Sequence, residues 1–426
     1  MGSETVSPEN FAERIIWFTI TRTYLFYLFG ACYFIAPVIG WSMVGYLCYQ
    51  MYIQTDKTPE VERIKIPVTV WVWIFSMIVM EIALIMGHLD FNLGTGKLIK
   101  STIGWFKGWA LLAVFPLIGC LNIRPRLIYQ AACVVCKHTL ILLPFLYLAS
   151  IIGLPADLYV SPLKVVGPSN DFYTVSFYGR GPDGVVRWRL FTPWGPALGF
   201  IANIYFIFAI EMKGTRWFWY GVCGSVAMCF VSKSRLALVS ILVVYTATWF
   251  LSRLTKPGVL RIMAAGITVI GISAPFLIET ISVMKAKFSA ARADSSRVRA
   301  ALGRIAKDRW QREAPIWGHG IVEKGPHITE HMPIGSHHSW FGLLFVKGMV
   351  GFLALMIPML WSFIELVIKA QTDQDARVAL SMVLILFLYT FGENLEILAY
   401  LFWPALVVMG IAFKTPMKTP LKDPFP

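Results

Sequence analysis

Residues 294–351 read DSSRVRAALGRIAKDRWQREAPIWGHGIVEKGPHITEHMPIGSHHSWFGLLFVKGMVG and form the longest polar interval in an otherwise mostly apolar chain. The interval begins with a run of arginines and ends with His337 and His338, immediately before the next apolar segment. Five of the seven histidines lie between His319 and His338. Because cations and imidazoles are concentrated in this interval, we expect the chemistry of the protein to take place there.

The rest of the chain has the composition of a membrane protein. Hydrophobic residues make up 57% of the 426 residues and charged residues 15%. This balance excludes a soluble globule of this size and is typical of an all-α polytopic membrane protein. The N-terminus has no short apolar region followed by a small-residue cleavage site, so we expect the first apolar segment to remain as an anchor.

The seven cysteines all fall within apolar segments. Cys133-x-x-Cys136 has the spacing of a redox or metal pair, but no second pair accompanies it. Free cysteines are commonly buried in protein cores. We therefore expect small core residues here and no disulfide framework.

Apolar stretches long enough to cross a bilayer predict about twelve transmembrane helices in a single integral membrane domain, residues 1–426. The first two helices are the least clearly separated. The predicted spans are 15–30, 31–50, 66–86, 102–121, 127–152, 192–211, 216–232, 236–251, 259–283, 339–364, 376–393 and 396–413.

Lysine and arginine in the short loops predict the orientation, because cytoplasmic loops are enriched in them. The hairpin at residues 392–396 contains neither. Both termini are therefore predicted in the cytoplasm, with two long loops, 153–191 and 284–338, on the periplasmic side. The basic residues predicted inside are Lys57, Arg63, Lys65, Arg124, Arg126, Lys213, Arg216, Arg253, Lys256, Arg261, Lys369, Arg377, Lys414, Lys418 and Lys422.

Both outer loops are basic, against the usual pattern. Residues 284–338 carry ten lysines and arginines against five acids, and the short connection at 232–235 adds Lys233 and Arg235. Long loops cross membranes regardless of charge, so one interpretation is a solvated basic face. Arg235 favours a second interpretation, a binding site, because a cation between two apolar runs needs a counter-charge. We expect an anionic ligand to supply it.

The two outer loops are predicted to be folded. Residues 295–312 are rich in alanine and place Val298, Leu302, Ile305 and Trp310 at helical spacing, which predicts a helix. Loop 153–191 is rich in glycine, proline and aromatic residues, which favours a folded cap over a tether.

The arginines are suited to a phosphate ligand. Guanidinium groups bind phosphate through a planar fork and keep their charge. Arg235 and Arg297, with Arg187 or Arg189 from the other loop, could converge on one pyrophosphate. Fixed cations in a water-poor site would stabilise the charge that develops as a pyrophosphate leaves.

His337 and His338 are candidates for a general base that takes a proton from an attacking hydroxyl. The alternative is a histidine that caps the helix containing Trp340. A zinc site built from the five clustered histidines is a third interpretation. It has no cysteine partner and no HExxH motif, and the outer loops contain no Asp-x-Asp. We therefore predict a metal-independent reaction with no cofactor.

At these residues the sequence resembles the O-antigen ligase family, within the ligase and polymerase superfamily of bacterial surface polysaccharides. The resembling motifs are Ser232-Lys233-Ser234-Arg235 at a span boundary, Ser296-Arg297 opening a helix, and Pro315-x-x-Gly318-x-Gly320 before a terminal histidine. Counted from His337, Gly348 and Gly351 follow at the family's positions in the next helix, whereas the dipeptide His338-Ser339 matches the family better. The family usually has Asn, Ser or Gln after its histidine, whereas this chain has His338. Which imidazole is the base stays open.

The resemblance implies a fold related to the membrane-embedded GT-C glycosyltransferases and a periplasmic reaction at the bacterial inner membrane. A polysaccharide on undecaprenyl pyrophosphate would be transferred to a sugar hydroxyl of lipid A–core, with inversion. Donor, acceptor and membrane lipids are the expected partners, and no nucleic acid is. The predicted substrate-binding residues are Arg235, Arg297, Arg299, Arg187, Arg189 and Lys233. Arg187 and Arg189 match no motif and are included for charge and position alone.

Two other functions are consistent with the sequence. A polysaccharide polymerase or a protein O-oligosaccharyltransferase would use the same donor, arginines and histidine with another acceptor. A transporter of an anionic lipid would instead need ionisable residues at mid-span, for which Glu81 and Lys137 are the few candidates.

Overall fold

The computed structural model describes residues 5–59, 63–167, 169–180, 186–276, 279–280, 293–335 and 337–416, apart from the side chains of residues 166, 180 and 293–296. Residues 281–292 of the predicted outer loop, and the end of the predicted span 259–283, lie outside the described residues.

The described chain is mostly helical. Its helices are α1 (Phe11–Thr21), α2 (Thr23–Leu28), α3 (Cys32–Ile53), α4 (Val68–Asp90), α5 (Thr95–Lys107), α6 (Leu111–Ile118), α7 (Pro125–Ile152), α8 (Gly195–Ile210), α9 (Arg216–Val231), α10 (Arg235–Leu251), α11 (Pro257–Ile272), α12 (Ala293–Glu313), α13 (Ser339–Lys369), α14 (Gln374–Tyr389) and α15 (Leu395–Lys414). The strands are β1 (Asp157–Val160), β2 (Thr174–Ser176), β3 (Tyr178–Arg180) and β4 (Val186–Trp188).

Several of these helices are suited to a bilayer. Within the described residues, six helical segments are long and apolar enough to cross a membrane, and three shorter helices are also apolar. The central one is α15, which packs against α3, α6, α8 and α14 and is buried along most of its length. The described chain is mostly helical with four short strands, which is consistent with the predicted all-α membrane protein, while twelve crossings and a GT-C-like fold stay predictions.

The prediction that the Cys133 and Cys136 pair lies in the core is confirmed, although Cys48 and Cys223 elsewhere in the chain are exposed. All seven cysteines are free, and Cys133 and Cys136 are buried in α7. They face Gly221 and Gly224 of α9, where an added Cβ would lie only 2.6 Å from the Cys133 sulfur or the Cys136 Cβ. The pair therefore allows two helices to approach closely.

Loop 153–191 is a folded cap, as predicted. β1 pairs with β2 and β3 with β4, both antiparallel. The Tyr27 hydroxyl donates to the Ser176 carbonyl at 2.6 Å, and the Ser161 hydroxyl donates to the Phe29 carbonyl at 2.9 Å. The Phe172 ring packs edge-on against Trp194. The cap therefore covers the ends of α2 and α8.

The opposite end of the helical bundle is marked by a different set of polar contacts. Arg124, in the loop before α7, forms ion pairs with Glu13 at 2.7 Å and Glu9 at 2.5 Å. At the same end the Lys414 ammonium donates to the Leu121 carbonyl at 3.3 Å. The cap thus lies at one end, and the N-terminal segment and the end of α15 lie at the other.

Helix α13 is broken at Gly348, whose φ of 61° and ψ of −159° are not helical. A break inside a membrane leaves backbone donors and acceptors without partners, at a cost of several kcal/mol each. Residues 315–320 fill the break. A Cβ on Gly348 would lie 2.2 Å from the Ile316 oxygen, so only glycine allows this approach.

The inserted segment makes hydrogen bonds to both halves of the helix. Its amides donate to the last carbonyls of the first half, and its carbonyls accept from the first amides of the second half. The bonds are His319 N to Phe345 O (2.8 Å), Gly320 N to Val346 O (2.9 Å), Met349 N to Pro315 O (3.0 Å) and Val350 N to Ile316 O (3.2 Å). This exchange explains the glycines of the sequence motif and anchors the loop that leads to His337.

Candidate functional site

The hairpin between α14 and α15 holds the start of α13. The Ser339 amide donates to the Thr390 carbonyl at 2.8 Å, and the Ser339 hydroxyl donates to the Glu393 carbonyl at 2.8 Å. The same hydroxyl accepts from the Leu395 amide at 3.0 Å. Trp340 adds an indole bond to the Thr390 hydroxyl at 2.8 Å. His337 and His338 are therefore placed directly beside this hairpin.

The turn that carries Arg235 lies against the same hairpin. A Cβ added to Gly392 would contact the Leu236 side chain at 3.1 Å, and one added to Gly195 would lie 2.6 Å from the Ser232 oxygen. Ser234 caps α10, because its hydroxyl accepts from the Ala237 amide at 3.4 Å. Arg235 is the first residue of α10 and is exposed.

Helix α12 brings a second arginine to the hairpin. The predicted helix 295–312 is confirmed, with bounds Ala293–Glu313. Its apolar face packs on α13, where a Cβ on Gly303 would touch the Phe341 ring at 3.0 Å. Arg299, one turn earlier, is close enough for its charge to lower the pKa of both His337 and Glu393. Arg297 is exposed on the same helix.

His337 is half-buried and sits in a strained backbone conformation, with φ of 63°. Burial and the charge of Arg299 lower its pKa to about 4, because both disfavour a second positive charge. The imidazole is therefore neutral at pH 7 and keeps a nitrogen lone pair.

His338 is used to cap α13. Its Nδ1 accepts from the Phe341 amide at 3.4 Å, and its ring packs 4.1 Å from the Phe341 ring and 5.6 Å from Phe391. Burial lowers its pKa to about 4. When Nδ1 accepts, the proton of a neutral imidazole is on Nε2, so the remaining nitrogen is a donor. The capping role that the sequence left as an alternative is present at His338.

Glu393 is a site residue that the predicted set does not include. It is only 3% exposed, and its carboxylate accepts from the Trp194 indole at 2.9 Å. Burial raises its pKa to about 7, partly offset by the Trp194 bond and the charge of Arg299. The available signal was a glutamate in an apolar hairpin without lysine or arginine.

The raised pKa predicts a pH-dependent stability for Glu393→Gln. The folded state binds the Glu393 proton more tightly than the unfolded state. The contribution of this tighter proton binding to the free energy of unfolding is complete below pH 4.5. It is lost as the pH rises through about 7. Glutamine keeps an acceptor for Trp194 without the buried charge. We expect the variant to gain up to about 3 kcal/mol over the wild type at pH 8 but little at pH 5.

Thermal midpoints of the detergent-solubilised protein at both pH values measure this difference. Glu330→Gln is the matched control, because Glu330 is exposed. An equal change in thermal midpoint at pH 5 and pH 8 would contradict the raised pKa assigned to Glu393.

His319 has a structural role. It is 1% exposed, stacks on Phe345 at 4.3 Å, and its Nε2 lies 2.7 Å from a Glu313 oxygen. Arg309 binds the same carboxylate and, together with His319, lowers the pKa of Glu313 to about 2. Within the described residues no group of three His, Cys, Asp or Glu could hold a metal ion. Metal independence stays a prediction.

Arg187 and Arg189 both belong to the cap. Arg187 lies in β4 opposite Gly179. A Cβ on Gly179 would lie 2.8 Å from the Arg189 guanidinium. The positive charge of Arg189 also interacts with the Tyr27 phenol. These contacts of Arg189 stabilise the cap, and its role on a ligand stays a prediction.

The comparisons with known proteins point to the same part of the chain. A protein-family model described as O-antigen ligase matches residues 220–356. This range includes the Arg235 turn, α12, both histidines and the break in α13. None of the curated proteins compared with the chain matches it.

Proposed function

Because residues 220–356 match the O-antigen ligase family, as the sequence motifs predicted, we propose that this chain transfers a polysaccharide from undecaprenyl pyrophosphate to lipid A–core. Members of this family are glycosyl-transfer enzymes. The observation that carries the proposal is that the charge of Arg299 acts on both His337 and Glu393, with the Arg235 turn on the same hairpin.

The donor pyrophosphate is held by the arginines. Arg235 begins α10, and the N-terminus of a helix favours an anion. Arg299 and Arg297 approach from α12, and Lys233 adds a further exposed cation beside Arg235. Guanidinium forks hold phosphate oxygens in two parallel bonds and stabilise the charge of the leaving pyrophosphate without reorganising.

His337 activates the acceptor. Its neutral imidazole takes the proton of a sugar hydroxyl as the hydroxyl oxygen bonds to the anomeric carbon of the donor. The bond from that carbon to the pyrophosphate breaks on the opposite face, which inverts the configuration and releases undecaprenyl pyrophosphate. The bound anion offsets the charge of Arg299 and so raises the pKa of His337, which makes it a stronger base during the reaction.

His338 is assigned a supporting role. Accepting a substrate proton on Nε2 would require the existing proton to move to Nδ1, and this would break the cap on α13. His337 is therefore the better assignment of the two.

The proposed site faces the periplasm, and both termini lie in the cytoplasm of a bacterial inner-membrane protein with about twelve crossings and a GT-C-like fold. Two observations support this arrangement. The two long loops share one end of the bundle, and the basic short loops predicted inside lie toward the other.

A transfer assay tests the proposal. Purified full-length protein in vesicles is given the lipid-linked glycan and, separately, lipid A–core, a second glycan chain and a pilin-like protein. We expect transfer to lipid A–core. Transfer only to the second glycan indicates a polymerase, and transfer only to the protein indicates an O-oligosaccharyltransferase. Movement of the lipid-linked glycan across the vesicle membrane without glycan transfer would contradict the proposal that the protein is an enzyme.

The same assay with Arg235→Gln tests donor binding. Losing a charge-assisted hydrogen bond is expected to raise the KM for the donor about tenfold to a hundredfold. Lys256→Gln is the control, since Lys256 is an exposed cation near the opposite end of α10. A donor KM that Arg235→Gln leaves unchanged would contradict the assignment.

A further inference from the structure

Helix α5 presents a stripe of lysines beside a stripe of apolar side chains. Lys97 and Lys100 are exposed and one turn apart. Next to them, Ile99 and Ile103 expose 61% and 49% of their surface. Lys107 extends the cationic side to the Tyr33 ring, 6.0 Å from its ammonium. A helix with adjacent cationic and apolar stripes is suited to the boundary between anionic headgroups and hydrocarbon.

An apolar groove lies below this helix. It has a volume of about 190 Å³ and is lined by Trp41, Ile74, Met77, Trp105, Ala113 and Leu117, from α3, α4, α5 and α6. The two indoles donate to protein carbonyls, Trp41 to Phe106 at 3.2 Å and Trp105 to Met77 at 3.0 Å. The lining of the groove is therefore almost entirely apolar, which fits a hydrocarbon chain.

This surface lies at the same end of the bundle as the histidines but on another side of the hairpin. His88 of α4 lies 3.1 Å from the Ser101 hydroxyl of α5, and Gly87 packs on Gly320 of the segment inserted in α13. At Gly108, between α5 and α6, an added Cβ would lie 2.7 Å from the Glu396 side chain. Glu396 is one turn beyond Glu393, so the lysine helix and the Arg235 turn flank the hairpin.

We propose that α5 and the groove below it hold the phosphorylated glycolipid that accepts the polysaccharide. The inference rests on the proposed function, in which both substrates are anionic lipids that must reach one base at the same time. The arginines of α10 and α12 hold the donor. The lysines of α5 hold the acceptor phosphates, and the groove holds an acyl chain. The acceptor sugar then enters from the α5 side, opposite the leaving pyrophosphate.

Two kinds of variant test this surface. Lys97→Gln combined with Lys100→Gln removes charge from exposed positions, where folding is least affected. Ala113→Phe fills the groove. Lys213→Gln is the matched control, because Lys213 is an exposed lysine at the far end of α8. Each lysine near an anionic surface contributes roughly fivefold to affinity, so the double variant is expected to raise the acceptor KM at least about tenfold.

The transfer assay separates acceptor from donor. We expect the KM for lipid A–core to rise in both test variants and the donor KM to stay within twofold. With the acceptor sugar chain freed of its lipid, variants and wild type are expected to react equally. A rise in the donor KM instead, or no change in either KM, would overturn the proposal.

A binding measurement distinguishes failure of this inference from failure of the proposed function. Native mass spectrometry of the full chain compares retention of bisphosphorylated lipid A, its dephosphorylated form and phosphatidylethanolamine. Preferential retention of the phosphorylated form, lost in the double variant, supports the surface even if no transfer is observed. Equal retention of all three lipids by the wild type would overturn it.

Discussion

Replacing His337 with asparagine is expected to lower the rate of polysaccharide transfer at least about a hundredfold, the typical contribution of a general base. Asparagine adopts positive φ more readily than other non-glycine residues, so it fits the φ of 63° at this position. It cannot accept the proton of a hydroxyl. The measurement is kcat in vesicles, with unchanged expression and thermal midpoint as the control for folding.

The pH dependence of kcat/KM gives an independent check on this role. The active form of His337 is neutral, so activity falls as the pH drops through its pKa. Burial and Arg299 place that pKa near 4 in the free enzyme, well below an ordinary histidine. The acidic limb is therefore expected below pH 6, and Arg299→Gln is expected to move it to higher pH. An acidic limb that does not respond to Arg299 would indicate another base.

Replacing Gly348 with alanine is expected to prevent stable folding. A φ of 61° with a ψ of −159° lies in a region that is essentially restricted to glycine and costs an L-residue about 1–3 kcal/mol. The new Cβ would also lie 2.2 Å from the Ile316 oxygen. Relieving that overlap must push residues 315–320 out of the break, which leaves buried backbone groups without partners. The expected loss of several kcal/mol is measured as a lower yield and a lower thermal midpoint.

Gly266→Ala is the matched control for this substitution. Gly266 lies in the apolar helix α11, and nothing lies within 4 Å of an added Cβ. Alanine is a better helix former than glycine, so this variant should be no less stable than the wild type. Equal midpoints for Gly348→Ala and Gly266→Ala would show that the inserted segment does not support α13.

Local patterns were sufficient to predict the elements around the site. Helical spacing of Val298, Leu302 and Ile305 predicted α12, because one apolar face must pack against another element. Glycine, proline and aromatic content predicted the folded cap. The motif Pro315-x-x-Gly318-x-Gly320 was recognised as a family motif that precedes a terminal histidine. Its insertion into α13 depends on backbone bonds between distant residues, which no local pattern reports.

The site itself was only partly predictable. Arg299 was among the predicted substrate-binding residues, and in the structure its charge acts on both His337 and Glu393. The importance of Glu393 depends on Trp194, which is 199 residues away in the chain. The choice between the two histidines depends on a backbone angle and a cap bond at adjacent positions. In the sequence, the glycine spacing and the dipeptide motif point to different histidines, so the choice stayed open.

The most direct test of the central claim is the turnover number of His337→Asn beside that of His338→Asn, in one vesicle preparation with saturating donor and lipid A–core. Asparagine at 338 can still accept from the Phe341 amide and keep α13 capped. We predict less than about one hundredth of wild-type turnover for His337→Asn, from the loss of the base. His338→Asn should stay within about threefold of the wild type, as expected for a retained cap. Full turnover in His337→Asn, or its loss only in His338→Asn, would contradict the account.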